Sequence, residues 1–154
     1  MMTFTIDPHR AGFDKKALAE ALALIERLSF SDPWSEASFL EAFENPTVTL
    51  TLFLEGEQPI AYALFSVIAP EAELLNLAVS PEKRKNGYGR ALLERSFAHL
   101  KERGVCDVFL EVREHNEAAK QLYLKQGFRA VGRRKAYYRY PTEDAIVMMA
   151  QLDK

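Results

Sequence analysis

Apolar residues near the start of the chain recur with the period of a helix. Between residues 14 and 28 they are spaced three and four apart, which predicts a helix with one buried stripe. The stripe consists of Leu18, Leu22, Ile25 and Leu28. A second, shorter helix is predicted after Ser35, because serine commonly caps helix N-termini, and Asn45 followed by proline ends it.

The period changes to two in the following segments, which predicts strands. Residues 48–54 place an apolar side chain at every second position, as is typical of a strand with one buried face. A polar turn links this segment to a second apolar strand over residues 59–69, so the two form a hairpin. A third strand ends at Val79, and a short extended segment at residues 4–6 precedes them all.

The second half of the chain alternates strands with helices. A glycine-containing loop follows Val79 and leads into a helix that closes at Gly104. A strand over 105–112 and a helix from Asn116 to Gly127 come next, and two further strands complete the chain. A strand, helix, strand crossover makes two strands parallel. The predicted fold class is therefore α/β with a mixed sheet, in a single domain over residues 1–154.

The composition is that of an ordinary globular protein, with 48% hydrophobic and 27% charged residues. The formal net charge of -2 disfavours a main role in binding nucleic acid. Cys106 is the only cysteine, which excludes an internal disulfide and a thiolate-rich metal site and favours the cytoplasm. His9 and His99 have no metal-ligand spacing, and no window reaches the roughly 18 apolar residues that span a bilayer. Neither a metal nor a membrane is expected.

The loop RKNGYG at residues 84–89 joins the third strand to its helix. The first N–H groups of a helix have no partner inside it, and the helix dipole is positive there, so such a loop can bind an anion. Glycine at positions 87 and 89 would let a phosphate approach the backbone; a plain tight turn is the alternative, and these residues leave both open. The chain lacks P-loop spacing, and Leu92 breaks a dinucleotide-binding pattern.

Glu111 is a carboxylate between Leu110 and Val112, in a strand that the crossover helix is expected to bury. Burial disfavours the charged form of a carboxyl group, and this suits a general base. The alternative is a surface glutamate paired with Arg113 or another cation.

The helix after this strand carries a second candidate for chemistry. Asn116 and Tyr123 are seven residues apart and therefore lie on one face of that helix. A phenol at this place could donate a proton to a leaving group. Packing of the tyrosine ring in the core is the alternative.

In combination these segments resemble the GCN5-related N-acetyltransferases, the GNAT family, from about Leu74 to the C-terminus. The family's pyrophosphate loop has the form Gln/Arg-x-x-Gly-x-Gly/Ala, which residues 84–89 meet. The segments LLNLAVSP, GRALLE, LEVREHNEAAKQLY and QGF also follow the family's order. The resemblance implies the GNAT fold, with about seven strands, four helices, a central βαβ crossover and two splayed parallel strands.

The resemblance also implies acetyl-CoA as the donor, with no metal. The arm of CoA would pair with a pseudo-strand of Leu77, Ala78 and Val79, and the Val79 N–H would polarise the thioester carbonyl. The other residues implied to bind CoA are Arg84, Lys85, Asn86, Gly87, Tyr88, Gly89, Arg90 and Asn116.

The implied reaction is direct attack of an amine on the thioester. Glu111 is carried over as the base, acting directly or through water, and Tyr123 as the acid that protonates the departing thiolate. The motifs PWSE and YY…EDAIVM are similar to those of the branch of the family that acetylates the N-terminal alanine of a small-subunit ribosomal protein. The resemblance therefore implies such a ribosomal protein as the partner. It also implies that the enzyme is a monomer in the cytoplasm. The implied substrate-binding residues are Trp34, Tyr137, Tyr138, Glu143 and Asp144.

Three other functions remain open from the sequence. The acceptor of the acetyl group could be a small-molecule amine or a lysine, with the same donor and base. A noncatalytic CoA sensor would keep only the donor site. An RNA-binding module would use residues 133–140, where basic and aromatic residues interleave. Alternate residues of a strand point to opposite faces, which disfavours this last interpretation.

Overall fold

A computed structural model describes residues 2–10 and 12–152 as seven strands and four α-helices. The strands are β1 (Met2–Ile6), β2 (Val48–Glu55), β3 (Gln58–Ile68), β4 (Glu71–Val79), β5 (Asp107–Arg113), β6 (Arg129–Tyr138) and β7 (Glu143–Gln151). The helices are α1 (Lys15–Ser29), α2 (Glu36–Glu44), α3 (Tyr88–Glu102) and α4 (Glu117–Lys125). The predicted α/β class with a mixed sheet is confirmed.

The strands form one sheet in the order β1-β2-β3-β4-β5-β7-β6. β4 and β5 are parallel because α3 crosses between them, and the other neighbouring strands pair antiparallel. The carboxyl ends of β4 and β5 therefore lie at the same edge of the sheet, and the glycine-containing loop begins there.

Each face of the sheet carries its own hydrophobic cluster. Leu92, Leu93 and Leu100 of α3 pack with Leu110 of β5 on one face, which α4 also covers. Leucines of α1 and phenylalanines of α2 pack on the opposite face, against β2, β3 and the end of β4. Side chains alternate along β5, so Glu111 points to the face opposite Leu110.

The buried stripe of α1 differs from its prediction at one position. Leu28 is 56% exposed, whereas Glu26 is 1% exposed. Glu26 lies four residues after Leu22, so it shares the stripe, but a carboxylate is normally assigned to the exposed face. Its burial depends on hydrogen-bond donors from other parts of the chain, which the period does not reveal.

Strand β2 is buried on both faces, so the expectation of one buried face is wrong. Thr49 and Thr51 read as a polar face, yet they are 1% and 0% exposed because α3 covers them. The Ser96 hydroxyl donates to Thr51 Oγ1 at 2.8 Å, and Arg103 donates to Thr49 Oγ1 at 2.5 Å. Threonine is tolerated there because these bonds satisfy its hydroxyl.

The predicted helix caps are confirmed. Ser35 Oγ accepts the Ser38 N–H at 3.1 Å at the start of α2. Asn116 Oδ1 accepts the Ala119 N–H at 3.1 Å at the start of α4. Among the helices of residues 2–10 and 12–152, none is long and apolar enough to cross a membrane.

Candidate active site

Strands β4 and β5 separate close to the glycine-containing loop. Their parallel pairing stops at Leu74 and Leu110, although both strands continue. β4 carries one extra residue relative to β3, Leu75, at the point of separation. We call the space between residues 75–79 of β4 and 111–113 of β5 the strand gap. Backbone groups of β4 that face it are not paired with β5.

The backbone of Val79 faces this strand gap. The N–H of the next residue, Ser80, donates to the Ile60 carbonyl oxygen at 2.7 Å, toward β3. Successive N–H groups of a strand point to opposite sides, so the Val79 N–H points away from β3. Arg84 Nε donates to the Val79 carbonyl oxygen at 3.1 Å and holds the loop beside the gap.

The N-terminus of α3 lies at the end of this loop and has no side-chain cap. Gly87 is its N-cap residue with φ of 81°, and a Cβ there would meet nothing within 4 Å. Backbone conformation therefore requires this glycine. At Gly89 a Cβ would come within 3.1 Å of Leu122 Cδ2, so close packing of α3 on α4 favours glycine there. The uncapped N–H groups remain suited to a phosphate.

The polar side chains of the loop bind mainly to the protein itself. Asn86 Nδ2 donates to the carbonyl oxygens of Lys83 and Arg84 at 3.0 and 3.1 Å. Arg84 also donates to Ser29 Oγ at 2.8 Å, and Arg90 pairs with Glu94 at 2.9 Å. These bonds fix the loop conformation, and the N–H groups at the start of α3 remain without a side-chain cap.

Glu111 lines a cavity of about 420 Å³ on the α1 and α2 face of the sheet. Its side chain is 14% exposed and forms an ion pair with Arg134 of β6, which is 61% exposed. Glu111 therefore has a cationic partner, as its alternative interpretation expects, and that partner is Arg134. Arg134 also lies 5.5 Å from the ring centroid of Tyr137.

A second carboxylate, Glu73 of β4, lines the same cavity. Partial desolvation and then the charge of Glu111 raise its pKa above the ordinary value, while Arg134 opposes this. Partial desolvation and then a hydrogen bond to Glu111 also raise the pKa of Tyr137. Glu111 thus stands in a small charged cluster rather than alone.

Tyr123 approaches from the opposite side of the sheet. It is 8% exposed, with its ring centroid 5.6 Å from that of Phe128, and burial raises its pKa to about 12. Burial is also the main cause that raises the pKa of Tyr138, followed by the charge of Glu111 and, further down, Tyr123. Glu111 and Tyr123 thus lie on opposite faces of the sheet, Glu111 on β5 beside the strand gap and Tyr123 on α4.

Glu143 has internal partners in the turn between β6 and β7. It accepts the His115 N–H at 2.7 Å and Arg113 at 3.2 Å, and the His115 bond is the main cause that lowers its pKa. Arg113 also lies 4.5 Å over the Tyr138 ring and donates to the Pro141 carbonyl oxygen at 2.9 Å. Glu143 therefore holds this turn and the aromatic ring in place.

Asp144 has a similar structural role. It accepts the Ala136 N–H at 2.8 Å and pairs with Arg133 at 2.9 Å, and the Ala136 bond is the main cause that lowers its pKa. Trp34, another predicted substrate residue, lines a separate cavity of about 510 Å³ beside α2 together with Leu75. Trp34 and Glu111 thus line different cavities of the same face.

Comparison with known proteins now identifies the family. A sequence model of the acetyltransferase (GNAT) family matches residues 18–128. The chain belongs to the GNAT family. The strand gap and the uncapped α3 N-terminus are therefore features of a GNAT acetyltransferase, as the resemblance implied.

Two relatives and one solved structure are similar to this chain over most of its length. The [Ribosomal protein bS18]-alanine N-acetyltransferase of Escherichia coli K12 is 40% identical over 128 residues, covering 80% of this chain and 84% of its own. The protein of the same name from Haemophilus influenzae is 38% identical over 136 residues, covering 86% and 92%. The crystal structure of the ribosomal-protein-S18-alanine N-acetyltransferase from Escherichia coli has a TM-score of 0.87 and 32% identity, covering 100% and 96%.

Two charged residues that no sequence motif marks, Arg134 and Glu73, line the cavity with Glu111. In the sequence Arg134 belongs to a segment of interleaved basic and aromatic residues, and the register shifts of β6 against β7 hide which face it occupies. Glu73 precedes the strand separation and had no motif to mark it. Within the part of the chain that the structure describes, no three His, Cys, Asp or Glu side chains form a group suited to a metal.

Proposed function

We propose that this GNAT protein transfers an acetyl group from acetyl-CoA to the N-terminal α-amino group of a protein, namely the N-terminal alanine of a bS18-type ribosomal protein. The strand gap, with Glu111 on one strand and the Val79 N–H on the other, is the observation that carries the chemistry. The acceptor follows from relatives of 40% and 38% identity that bear this activity in their names.

The donor would lie across the strand gap. Residues 77–79 offer unpaired backbone groups to the amide-containing arm of CoA, as a neighbouring strand would. The pyrophosphate would meet the N–H groups at the start of α3, where Gly87 leaves the helix uncapped. The loop residues 84–90 surround this position, and Asn116 at the start of α4 would complete it.

Glu111 would take a proton from the attacking amine. An α-amino group has a pKa of about 7.7 to 8.0, against about 10.4 for lysine, so a protein N-terminus needs less help to become nucleophilic. Arg134 would leave Glu111 when the ammonium group of the acceptor arrives. Because Arg134 is 61% exposed, exchanging one cation for another in this ion pair has a small free-energy cost.

The reaction would then proceed without an enzyme-bound intermediate. The amine nitrogen bonds to the thioester carbonyl carbon, and the Val79 N–H stabilises the developing negative charge on oxygen. The carbon–sulfur bond breaks, and Tyr123 donates a proton to the CoA sulfur. The second proton that the nitrogen loses as the amide forms returns to Tyr123 through solvent, so the phenol is restored. Glu111 holds the proton from the amine until solvent takes it.

The acceptor would approach along the face that bears α1, α2 and the turn between β6 and β7. Trp34 would border its path on one side, and Tyr137 and Tyr138 on the other. Residues 1–154 would act as one domain, because both clusters of the core share one sheet. A monomer in the cytoplasm, without nucleic acid, fits this function best.

A set of acceptors tests the proposal by thiol release from acetyl-CoA. A peptide that begins with alanine and copies a bS18 N-terminus should be acetylated. The same peptide with a blocked α-amino group and a free lysine should react far more slowly, as should a polyamine. Turnover of the polyamine or the blocked peptide in preference to the free peptide would reject the proposed acceptor.

Substitution of the base tests the proposed chemistry. Glu111→Gln should lower kcat by roughly 10²- to 10⁴-fold, because the carboxylate that accepts the proton is lost. Glu102→Gln, an exposed residue at the end of α3, is the matched control and should leave the rate unchanged. Wild-type turnover by Glu111→Gln would assign the base to another group.

A further inference from the structure

Glu26 of α1 is a buried carboxylate that the proposed chemistry does not use. It is 1% exposed, and its two oxygens accept hydrogen bonds from three segments. Oε1 accepts the Trp34 N–H at 2.9 Å, and Oε2 accepts Asn76 Nδ2 at 2.9 Å and the Tyr62 hydroxyl. One side chain therefore connects α1 with the segment before α2, with β3 and with β4.

The Glu26 site is built to hold a carboxyl group away from water. Burial is the main cause that raises the pKa of Glu26, and the bonds from Tyr62, Trp34 and Asn76 oppose the effect. Burial and then the charge of Glu26 raise the pKa of Tyr62, so the phenol keeps its proton and donates it. A buried charge is tolerated only where donors of this kind surround it.

The partners of Glu26 lie where the two substrates would meet. Trp34 precedes α2, packs 5.2 Å from Phe39 between ring centroids, and borders the cavity beside α2. Asn76 follows the extra residue of β4 and immediately precedes residues 77–79, which line the strand gap. Tyr62 pairs with Ala78 across β3 and β4, and is wholly buried.

We propose that Glu26 is a positioning residue that fixes both the acceptor-binding segment at Trp34 and the donor-binding end of β4. This inference rests on the proposed function, which assigns those two segments to the acceptor and to acetyl-CoA. The Asn76 bond keeps that side chain on the α1 face, so Leu77 faces the opposite side and the backbone beyond it keeps its direction toward the strand gap. The Trp34 bond holds the acceptor-binding segment against the same strands.

Glutamine has the shape of glutamate but cannot replace it at position 26. Its single oxygen can accept from Trp34 or from Asn76 and Tyr62, and its amide nitrogen then faces a donor. Glu26→Gln therefore loses either the bond to the Trp34 segment or the bonds to Asn76 and Tyr62, depending on which way its amide group is turned. Asn76→Ala removes only the connection to β4, so it should affect acetyl-CoA alone.

Steady-state kinetics and calorimetry on the full chain test this role. Glu26→Gln should raise KM for the alanine peptide and Kd for acetyl-CoA by about tenfold each, as expected for a lost hydrogen bond to a charged group, while kcat changes less. Asn76→Ala should raise only the acetyl-CoA Kd. Glu20→Gln, an exposed change on the same helix, should match the wild type.

Each result has a defined meaning. A Glu26→Gln protein with both constants within about twofold of wild type overturns the inference, even if it is less stable, because a purely structural role lowers only the amount of active protein. If that variant does not fold, an unchanged acetyl-CoA Kd in Asn76→Ala overturns the inference instead. If the wild type fails to acetylate the peptide, the proposed acceptor is wrong, and the acetyl-CoA Kd values still decide the role of Glu26.

Discussion

Replacing Tyr123 by phenylalanine separates its chemical role from its packing role. The ring lies against Phe128, and 8% of the residue is exposed. Within the described residues its hydroxyl forms no hydrogen bond to another group of the protein. Tyr123→Phe therefore keeps the ring and breaks no bond, so we expect the free energy of unfolding to change by at most about 0.5 kcal/mol.

The burial of Tyr123 determines at which stage of the reaction it can donate its proton. Its pKa is raised from 10.0 to about 12, which disfavours the phenolate by roughly 3 kcal/mol. Complete proton transfer to a thiolate with a pKa of about 8.5 would be uphill by roughly 5 kcal/mol. Donation must therefore accompany carbon–sulfur cleavage rather than precede it. Loss of this acid should lower kcat by roughly 10²- to 10⁴-fold, with little change in the KM for acetyl-CoA.

Initial rates of thiol release between about pH 6 and 10 provide the assay. Over this range Tyr123 stays protonated, because its pKa of about 12 lies above it, so the wild-type rate should show no fall caused by this residue. Tyr140→Phe, at an exposed tyrosine, is the matched control and should keep the full rate. Urea unfolding of both variants checks that the fold is intact.

Two results would refute the reasoning. If Tyr123→Phe keeps more than about a third of the wild-type kcat, the phenol does not donate a proton that limits the reaction. If the wild type instead loses activity near pH 8 and Tyr123→Phe does not, then Tyr123 titrates far below its buried pKa, and the argument from burial is wrong.

Three further predictions concern stability, each measured by urea unfolding. Asn116→Ala should lower the free energy of unfolding by about 1 kcal/mol, because the α4 cap is lost, and an equal loss in Asn116→Asp, which keeps a cap, would contradict this. Gly87→Ala should cost about 1 to 2 kcal/mol at its positive φ, whereas Gly132→Ala has ordinary contacts and should cost less; equal costs would speak against backbone strain. His9 stacks on Phe43, and burial, then Arg10, lowers its pKa. The unfolded state therefore binds more protons, and stability should fall as the pH drops through about 6.5; His9→Phe should weaken that dependence, and an unchanged slope would count against it.

Much of the site could be predicted because its residues belong to local patterns. The glycine-containing loop, the strand of Glu111 and the helix of Tyr123 follow one another closely, so their order was enough to suggest a shared function. The assignments of Glu143 and Asp144 were less informative. The resemblance implies that they bind the substrate, and in the structure their carboxylates pair with Arg113 and Arg133.

The sequence by itself determined the helices, the strands, the crossover and the glycine-containing loop. These depend on the spacing of apolar residues and on local backbone preferences, which neighbouring residues carry. Only the tertiary structure decided where β4 and β5 separate, namely after Leu74 and Leu110, that Arg134 pairs with Glu111, and that Glu26 rather than Leu28 is buried. Each of these features depends on groups that are far apart in the chain and that folding brings into contact. The local pattern permits several arrangements equally, and the free energies of desolvation and hydrogen bonding determine which one forms.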